Sequence, residues 1–310
     1  MKEEIMVTIH CTVYNHEPYL RQCLDGFAMQ QTDFLFEAVV HDDCSTDGSA
    51  AIIKEYAERY PNIIKPIFEK ENQYSKHDGS LRRILQAHTH GKYIAICEGD
   101  DYWTDPTKLQ RQVNFMEQSP DYAAVAENGW ILQTDINRKK EFSFLPERDI
   151  NITELIEGRK FPTASVLYRA SLEEDYQKYN YSIDTFLWCY LTTRGKFRYF
   201  TNKSSVYRRG PQGITEYTDP LKWAKIVEVL NLNLIKYFGD HFDVRIAKRN
   251  IKNNYMGALK KYLYLHKRND SYKACLRKCF SMAPVRTSLT LLRGLISTAH
   301  RQYINMCQHA

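Results

Sequence analysis

The chain has 310 residues, 43% of them hydrophobic and 26% charged, and carries a net charge of +6 at pH 7. That is the balance of a folded, soluble chain, long enough for one large domain with an appendage or for two domains. No apolar run approaches the roughly 18 to 20 residues of a membrane span, and MKEEIMVTIH leads straight into a strand pattern with no signal peptide, so a cytoplasmic protein is expected. The charge is uneven: residues 241–310 hold 14 Lys and Arg against two Asp and Glu, which leaves a net acidic body carrying a basic tail.

Met6 to Val13 reads as a first core strand, and the helical spacing of Tyr19, Leu20, Cys23, Leu24 and Phe27 predicts a helix entered at Pro18. Phe36 to His41 is a second strand, followed by a helix ending near Tyr60, and Ile63 to Phe68 is a third. A polar loop, Glu69 to Gly79, has the length and lack of periodicity of a mobile segment over a site. A helix from Leu81 to His90 leads to a fourth strand, Tyr93 to Cys97. Strands alternating with helices imply right-handed βαβ units and a mostly parallel sheet, with the loops after the first, second and fourth strands on one edge. Beyond a helix begun at Pro106, short strands are expected at Ala123–Val125, Trp130–Leu132, Ala164–Tyr168, Phe197–Phe200 and Ser205–Tyr207. Helices are expected at Ile152–Gly158, capped by Asn151, and at Ile183–Thr193, the latter amphipathic. From about Asp219 the pattern is entirely helical, with breaks near Gly239, Asp270 and Pro284.

Eight cysteines include no C-x-x-C pair; Cys11 and Cys97 fall in core strands, and Cys275 and Cys279, four apart on one helical face, have no accompanying zinc-spaced partners. They read as reduced structural thiols. The chemistry concentrates where the fourth strand ends, at Glu98-Gly99-Asp100-Asp101. Ligands of open α/β sheets bind at that edge. Crowded carboxylates call for a neutralising cation, and Mn²⁺ or Mg²⁺ takes such oxygens together with those of phosphates. An acidic turn with Asp105 capping the next helix is the alternative. Gly99 is expected to let the chain turn so that Asp100 faces a ligand. On the same edge Tyr14 offers a face for a base, Thr12, Asn15 and Glu17 offer polar groups, and Asp43 an acceptor for a base or ribose; Arg82 presents a fork of donors to phosphate. Each has a plainer reading, as packing aromatic, turn builder or solvated charge. Asp43-x-Ser45-x-Asp47-Gly48 copies half of an EF-hand loop, but Lys54 stands where a bidentate Glu is required. No glycine-rich dinucleotide or P-loop motif follows the first strand.

Three stretches carry a resemblance: VTIHCTVYNHEPYLRQCLDGFAMQ, FEAVVHDDCSTDGS and GSLRRILQAHTHGKYIAICEGDDYWTDPTKLQRQVNFME, in that order through about residue 118. They resemble the inverting glycosyltransferases of family 2. A weaker match runs through PTASVLYRA, SIDTFLWCYLTTRGKFRYF and SSVYRRG to about residue 210. The resemblance implies an α/β fold of the GT-A type with a mostly parallel central sheet flanked by helices, plus an all-helical C-terminal extension. It implies a domain over 1–216, with a donor-binding half (1–118) and an acceptor half (119–216), and a basic helical region over 217–310. It further implies a nucleotide-diphosphate sugar donor whose nucleoside meets Thr12, Tyr14, Glu17 and Asp43 and whose phosphates meet Arg82. Glu98, Asp100 and Asp101 would hold Mn²⁺ or Mg²⁺, with Glu98 standing where the family usually has Asp. Asp184 falls at the catalytic base, with Glu173, Glu174 and Asp175 as neighbouring alternatives.

Trp103, Trp130, Trp188 and Tyr207 are candidates for a sugar platform, and Arg208 and Arg209 for donor phosphates on closure of the Arg208–Gly213 loop. The tail alternates basic and apolar residues, as in Tyr262–Arg268 and Ser288–Ile296, which suits either an anionic membrane surface or a helical pack with a solvated basic face. The acceptor is expected to be a glycan or lipid-linked, with nucleic acid not a partner. A catalytically inactive domain of the same fold and a sugar nucleotidyltransferase are the rival readings.

Overall fold

The structure, a computed structural model, describes residues 4–179, 183–210, 219–265 and 267–291. It separates into two compact units, residues 1–211 and 212–310. The expected boundary at 216/217, the end of the Arg208–Gly213 loop and the tail beyond residue 291 lie outside the described residues.

The first unit opens with β1 (Ile5–Val13), α1 (Glu17–Ala28), β2 (Leu35–Asp42), α2 (Ser49–Arg59), β3 (Ile64–Phe68), α3 (Ser80–Ala87) and β4 (Tyr93–Ile96). Then come β5 (Tyr102–Trp103), α4 (Lys108–Gln118), β6 (Tyr122–Gln133), β7 (Arg138–Glu141), β8 (Arg148–Asp149) and α5 (Ile152–Glu157). It finishes with β9 (Leu167–Arg169), α6 (Glu173–Gln177), α7 (Asp184–Thr192) and β10 (Lys196–Arg209). One sheet runs β3-β2-β1-β4-β9-β6-β10-β5, with β7 on β6 and β8 on β10. Its first half is parallel, β2 with β1 and β3, and β1 with β4. β9 then inserts antiparallel between β4 and β6, and β6 runs parallel to β10.

β1 is central because both of its faces are buried. Val7, Ile9, Cys11 and Val13 join Leu20, Cys23, Leu24 and Phe27 of α1 in the main core, as the near-continuous apolar character of a parallel strand anticipates. On the other face, Thr8 donates to Glu37 at 2.8 Å and the His10 ring meets the Thr89 hydroxyl at 2.7 Å, so the buried polar groups are paired. Cys11, Cys23, Cys97 and Cys189 are buried, and no disulfide forms among the described residues.

Several elements differ from expectation. The two strands at 123–125 and 130–132 are one, β6, because the polar residues between them find partners inside. Glu127 is fully buried and takes Arg111 at 2.9 Å; Asn128 donates to the Ser143 carbonyl at 2.8 Å. A Cβ on Gly129 would lie 2.5 Å from the Ser205 carbonyl oxygen, so the strand contact with β10 needs glycine there. β10 likewise joins the two strands expected at 197–200 and 205–207 through register shifts between Phe200 and Ser205. Thr163–Ser165 is a 3₁₀ turn ahead of β9. α7 is not amphipathic: Phe186 to Leu191 are all buried, as in a helix covered on every side. The polar loop after β3 contains a 3₁₀ turn at Tyr74–Lys76 and is tied down at its middle.

The second unit comprises α8 (Pro220–Phe238), α9 (Val244–Tyr264), α10 (Asp270–Met282) and a further helical stretch at 284–291. Each of the three labelled helices has a side-chain cap: Asp219 accepts from the Leu221 and Lys222 amides, Asp243 from Arg245 and Asn269 from Tyr272. Leu221, Ala224, Tyr255, Leu259, Tyr262, Cys275 and Cys279 form its core, so the paired cysteines on α10 are packing residues. Among the described residues, no helix is long and apolar enough to cross a membrane.

Candidate active site

The loops after β1 and β2 are laced together before any ligand is considered. Asn15 and Cys44 both take left-handed backbone conformations (φ 56° and 65°). The Asn15 side chain accepts the Thr46 amide at 2.7 Å, Ser45 and Ser49 hydroxyls accept the amides of Asn15 and His16, and Asp47 accepts the Glu17 amide. Glu17 returns the tie by accepting the Gly48 amide at 2.8 Å. These side chains build the two loops, which accounts for the EF-hand-like spacing without calcium. Asp43, almost fully buried, accepts the Gln73 amide at 2.6 Å and the Tyr74 amide at 3.0 Å, pinning the loop after β3 over the same edge. Thr12 is half-buried and Tyr14 is 47% exposed, its ring open on the edge.

Gly99 lies beneath the first loop. It does not have a positive φ; a Cβ there would fall 2.9 Å from His16 Nδ1 and from Val13 Cγ2. Glycine is therefore required for close approach and not for a turn, which corrects the expectation. Asp100 and Asp101 then diverge. Asp101 is buried and accepts the Arg208 amide at 2.8 Å; burial, followed by Asp100, pushes its pKa well up against that hydrogen bond. Asp100 has a buried Oδ1 with no hydrogen-bond partner, and His16 Nδ1 nearby is also buried and unpartnered. Glu98 is open to solvent at the lip, yet close protein surroundings, then Asp184, then Asp100 push its pKa up to about 8 against the pull of Arg159. Water access tempers that push without changing its direction.

Asp184, the first residue of α7, shares this field across more than 80 residues of sequence. Its Oδ2 accepts the Thr163 hydroxyl at 2.6 Å and lies 3.6 Å from Arg159 Nη2. Arg159 packs over the Tyr207 ring at 5.2 Å. The Tyr74 hydroxyl lies within the fields of Glu98 and Asp184, which, after burial, raise its pKa. Glu98, Asp100, Asp184, Arg159 and Tyr74 thus share one electrostatic neighbourhood, with Thr163 bonded to Asp184.

Arg82 is turned to α6. Its guanidinium is bidentate to Glu173, with Oε2 at 2.8 Å, and rests over the Tyr176 ring at 4.1 Å. Arg82 outweighs the cost of burial and holds the Glu173 carboxyl below its ordinary range, so Glu173 is a structural partner. Asp175 pairs with Lys178 on the surface. Arg208 donates to the Asp100 carbonyl at 2.5 Å and sits over the Tyr102 ring at 4.3 Å, bracing the carboxylate loop. Trp103 and Trp188 are core residues; Trp130 lies between Lys139 and Lys203. Nothing local in the sequence singles out Arg159, Thr163, His16 or Tyr74 as neighbours of Asp184 or Asp100. Two of them do fall inside matched stretches, Thr163 in PTASVLYRA and His16 in VTIHCTVYNHEPYLRQCLDGFAMQ, but neither pattern marks a role for them.

Among the described residues, no three His, Cys, Asp or Glu side chains form a ready metal cage. The orphaned Asp100 oxygen nevertheless suits a hard divalent ion, which typically binds through one or two carboxylates with water and substrate phosphates filling the remaining positions.

Known proteins resemble this chain in sequence and in fold. The chain is 37% identical over 214 residues to an uncharacterized protein of Mycobacterium tuberculosis, covering 68% of this chain and 61% of that one, so it spans about three-fifths of that relative's length. It is 26% identical over 205 residues to the Escherichia coli UDP-Glc:alpha-D-GlcNAc-diphosphoundecaprenol beta-1,3-glucosyltransferase WfaP, covering 66% and 77% of the two chains. The structure of Staphylococcus aureus TarS residues 1–349 with UDP-GlcNAc superposes with a TM-score of 0.64 at 14% identity, over 92% of this chain and 84% of that one, which shows a shared fold. That fold is the GT-A arrangement of a mostly parallel sheet flanked by helices. The model of the family described as "Glycosyl transferase family 2" matches residues 8–176, more than half of the chain, and the chain belongs to that family.

Proposed function

We propose that this protein transfers a sugar from a nucleotide-diphosphate donor to a hydroxyl of a glycan or lipid-linked acceptor, inverting the anomeric configuration, in cell-surface polysaccharide synthesis. The observation that carries this reading is that Glu98, Asp100 and Asp184, far apart in sequence, come within one another's electrostatic field in a family 2 chain. A relative acts on a diphosphoundecaprenol-linked acceptor, which supports the acceptor class. Asp184 takes the proton of the acceptor hydroxyl as that oxygen attacks the anomeric carbon from the face opposite the leaving group. Tyr14, Thr12 and Asp43 receive the nucleoside and Glu17 ties together the loops around it, while Arg82 holds Glu173.

Asp100 is the favoured ligand for Mn²⁺ or Mg²⁺, with Glu98 beside it; Asp101 is turned to the Arg208 amide. When bound, such an ion neutralises charge on the leaving nucleoside diphosphate. Residues 1–118 serve as the donor half, 119–216 as the acceptor half and 217–310 as a basic helical region that meets anionic lipid from the cytoplasmic side. Exposed Trp223, Val229 and Leu232 on α8, interleaved with exposed Lys222, Lys225 and Lys236, support the lipid contact.

The test is UDP- and GDP-sugar hydrolysis with Mn²⁺, using Asp100→Ala and Asp184→Asn as controls. Turnover that both substitutions abolish is expected. A flat panel from well-folded protein would overturn the enzymatic reading in favour of an inactive domain of the same fold. For the lipid contact, failure to float with anionic vesicles at physiological salt would refute that part alone.

A further inference from the structure

Asp184 has two carboxylate oxygens, and the protein treats them differently. Oδ2 takes the Thr163 hydroxyl at 2.6 Å, within the range of a charge-assisted O–H···O⁻ bond, and has Arg159 Nη2 at 3.6 Å. Oδ1 accepts no hydrogen bond among the described residues, and the side chain keeps 34% of its surface exposed. A carboxylate gripped at one oxygen presents the other in a fixed direction.

The group that grips it is itself fixed. Thr163 is 5% exposed and begins a 3₁₀ turn whose carbonyls are held by core side chains. Trp103 Nε1 donates to the Ala164 carbonyl at 2.6 Å, and Gln112 Nε2 to the Ser165 carbonyl at 2.7 Å. The Ser165 hydroxyl donates to the Pro162 carbonyl at 2.7 Å. Trp103 lies two residues beyond Asp101, so the turn that holds Asp184 is tied to the same segment that carries Asp100 and Asp101. From its other end Asp184 is carried by α7, whose residues Phe186 to Leu191 are buried. Both supports are rigid elements, the arrangement that keeps a reacting group in register.

We propose that Thr163, with Arg159 as a second prong, is a positioning residue for sugar transfer: it locks Oδ2 of Asp184 so that Oδ1 stays aimed at the acceptor hydroxyl. This rests on Asp184 being the base. Thr163→Val removes the hydroxyl at nearly constant volume, and Thr163→Ser keeps it. With UDP-glucose or UDP-N-acetylglucosamine, Mn²⁺ and water as the acceptor, kcat of Thr163→Val is expected to fall on the order of 10- to 100-fold, part of the ~10²–10⁴ that a positioned base contributes. Donor KM and melting temperature should stay unchanged, and Thr163→Ser should restore most of the rate. A kcat equal to that of the wild type in Thr163→Val overturns the proposal, as does a loss that serine fails to restore. An Asp184→Asn enzyme as active as the wild type removes the base and the proposal with it. An inactive Asp184→Asn beside an unaffected Thr163→Val leaves the base standing and sinks the positioning role alone. Crystal structures give a reading that needs no turnover: the Asp184 carboxylate should rotate or lose its single orientation in Thr163→Val, and an unchanged carboxylate refutes the lock.

Discussion

Arg82→Met separates a structural arginine from a donor-binding one. The Glu173 side chain is 1% exposed and Arg82 23%, so the pair is largely withdrawn from water. Glu173 has Tyr168 as a second donor at 2.9 Å, but a neutral hydroxyl does not replace a bidentate guanidinium. Removing one partner of such a pair strands the other charge, at a cost of about 3–5 kcal/mol. In a unit of 211 residues, where each kcal/mol moves the melting temperature by roughly 2–4 °C, the expected fall is roughly 6–20 °C. The double variant Arg82→Met/Glu173→Leu replaces both charges with apolar groups and should recover most of that loss. Calorimetry on the wild type, both single variants and the double variant closes the cycle. UDP affinity of folded Arg82→Met should equal that of the wild type, because the guanidinium is turned to Glu173 and Tyr176. A fall in melting temperature of under about 3 °C, or additive losses in the double variant, would refute the buried-pair argument. Tenfold weaker UDP binding with normal stability would return Arg82 to the donor phosphates.

Gly99→Ala should destabilise by roughly 1–3 kcal/mol through crowding, since the new Cβ meets His16 and Val13 at 2.9 Å and Leu20 at 3.3 Å; urea denaturation measures it, and a neutral result would mean that the β1–α1 loop gives way. His10 makes stability depend on pH. Burial lowers its pKa from 6.5 to about 4, so above pH 6.5 the ring is neutral in both states and its stabilising effect is complete. As pH falls from 6.5 towards 4, the unfolded chain takes up a proton that the folded one refuses, and stability drops by about 2 kcal/mol between pH 7 and pH 5. His10→Gln should lose less stability over that interval by about this amount, and parallel urea curves for the two proteins at both pH values would show that the ring does not titrate this way.

The βαβ order of the first unit was legible because parallel strands buried on both faces are nearly continuous apolar runs, and β1, β2 and β4 are such runs. The acidic motif and the helical character of the second unit were legible for the same reason: each is encoded within a few residues of itself. Expectation failed where a residue's partner is distant in sequence. Glu127 and Asn128 looked like a loop until Arg111 and Ser143 satisfied them inside, and no local pattern at Arg82 announces Glu173 as its partner. Gly99 was correctly marked as necessary but for the wrong reason, since only packing reveals that His16 and Val13 occupy the space of its side chain.

By itself, then, the sequence determined the order of strands and helices and placed a carboxylate cluster at a strand's carboxyl end. Tertiary structure alone decided which of those carboxylates is free. It turned Asp101 to the Arg208 amide, left an oxygen of Asp100 buried without a partner, and brought Thr163 and Arg159 to one oxygen of Asp184. The physical reason is that periodicity and turn chemistry are local properties of a chain, whereas the satisfaction of a buried charge depends on groups that only the folded chain brings within hydrogen-bonding distance.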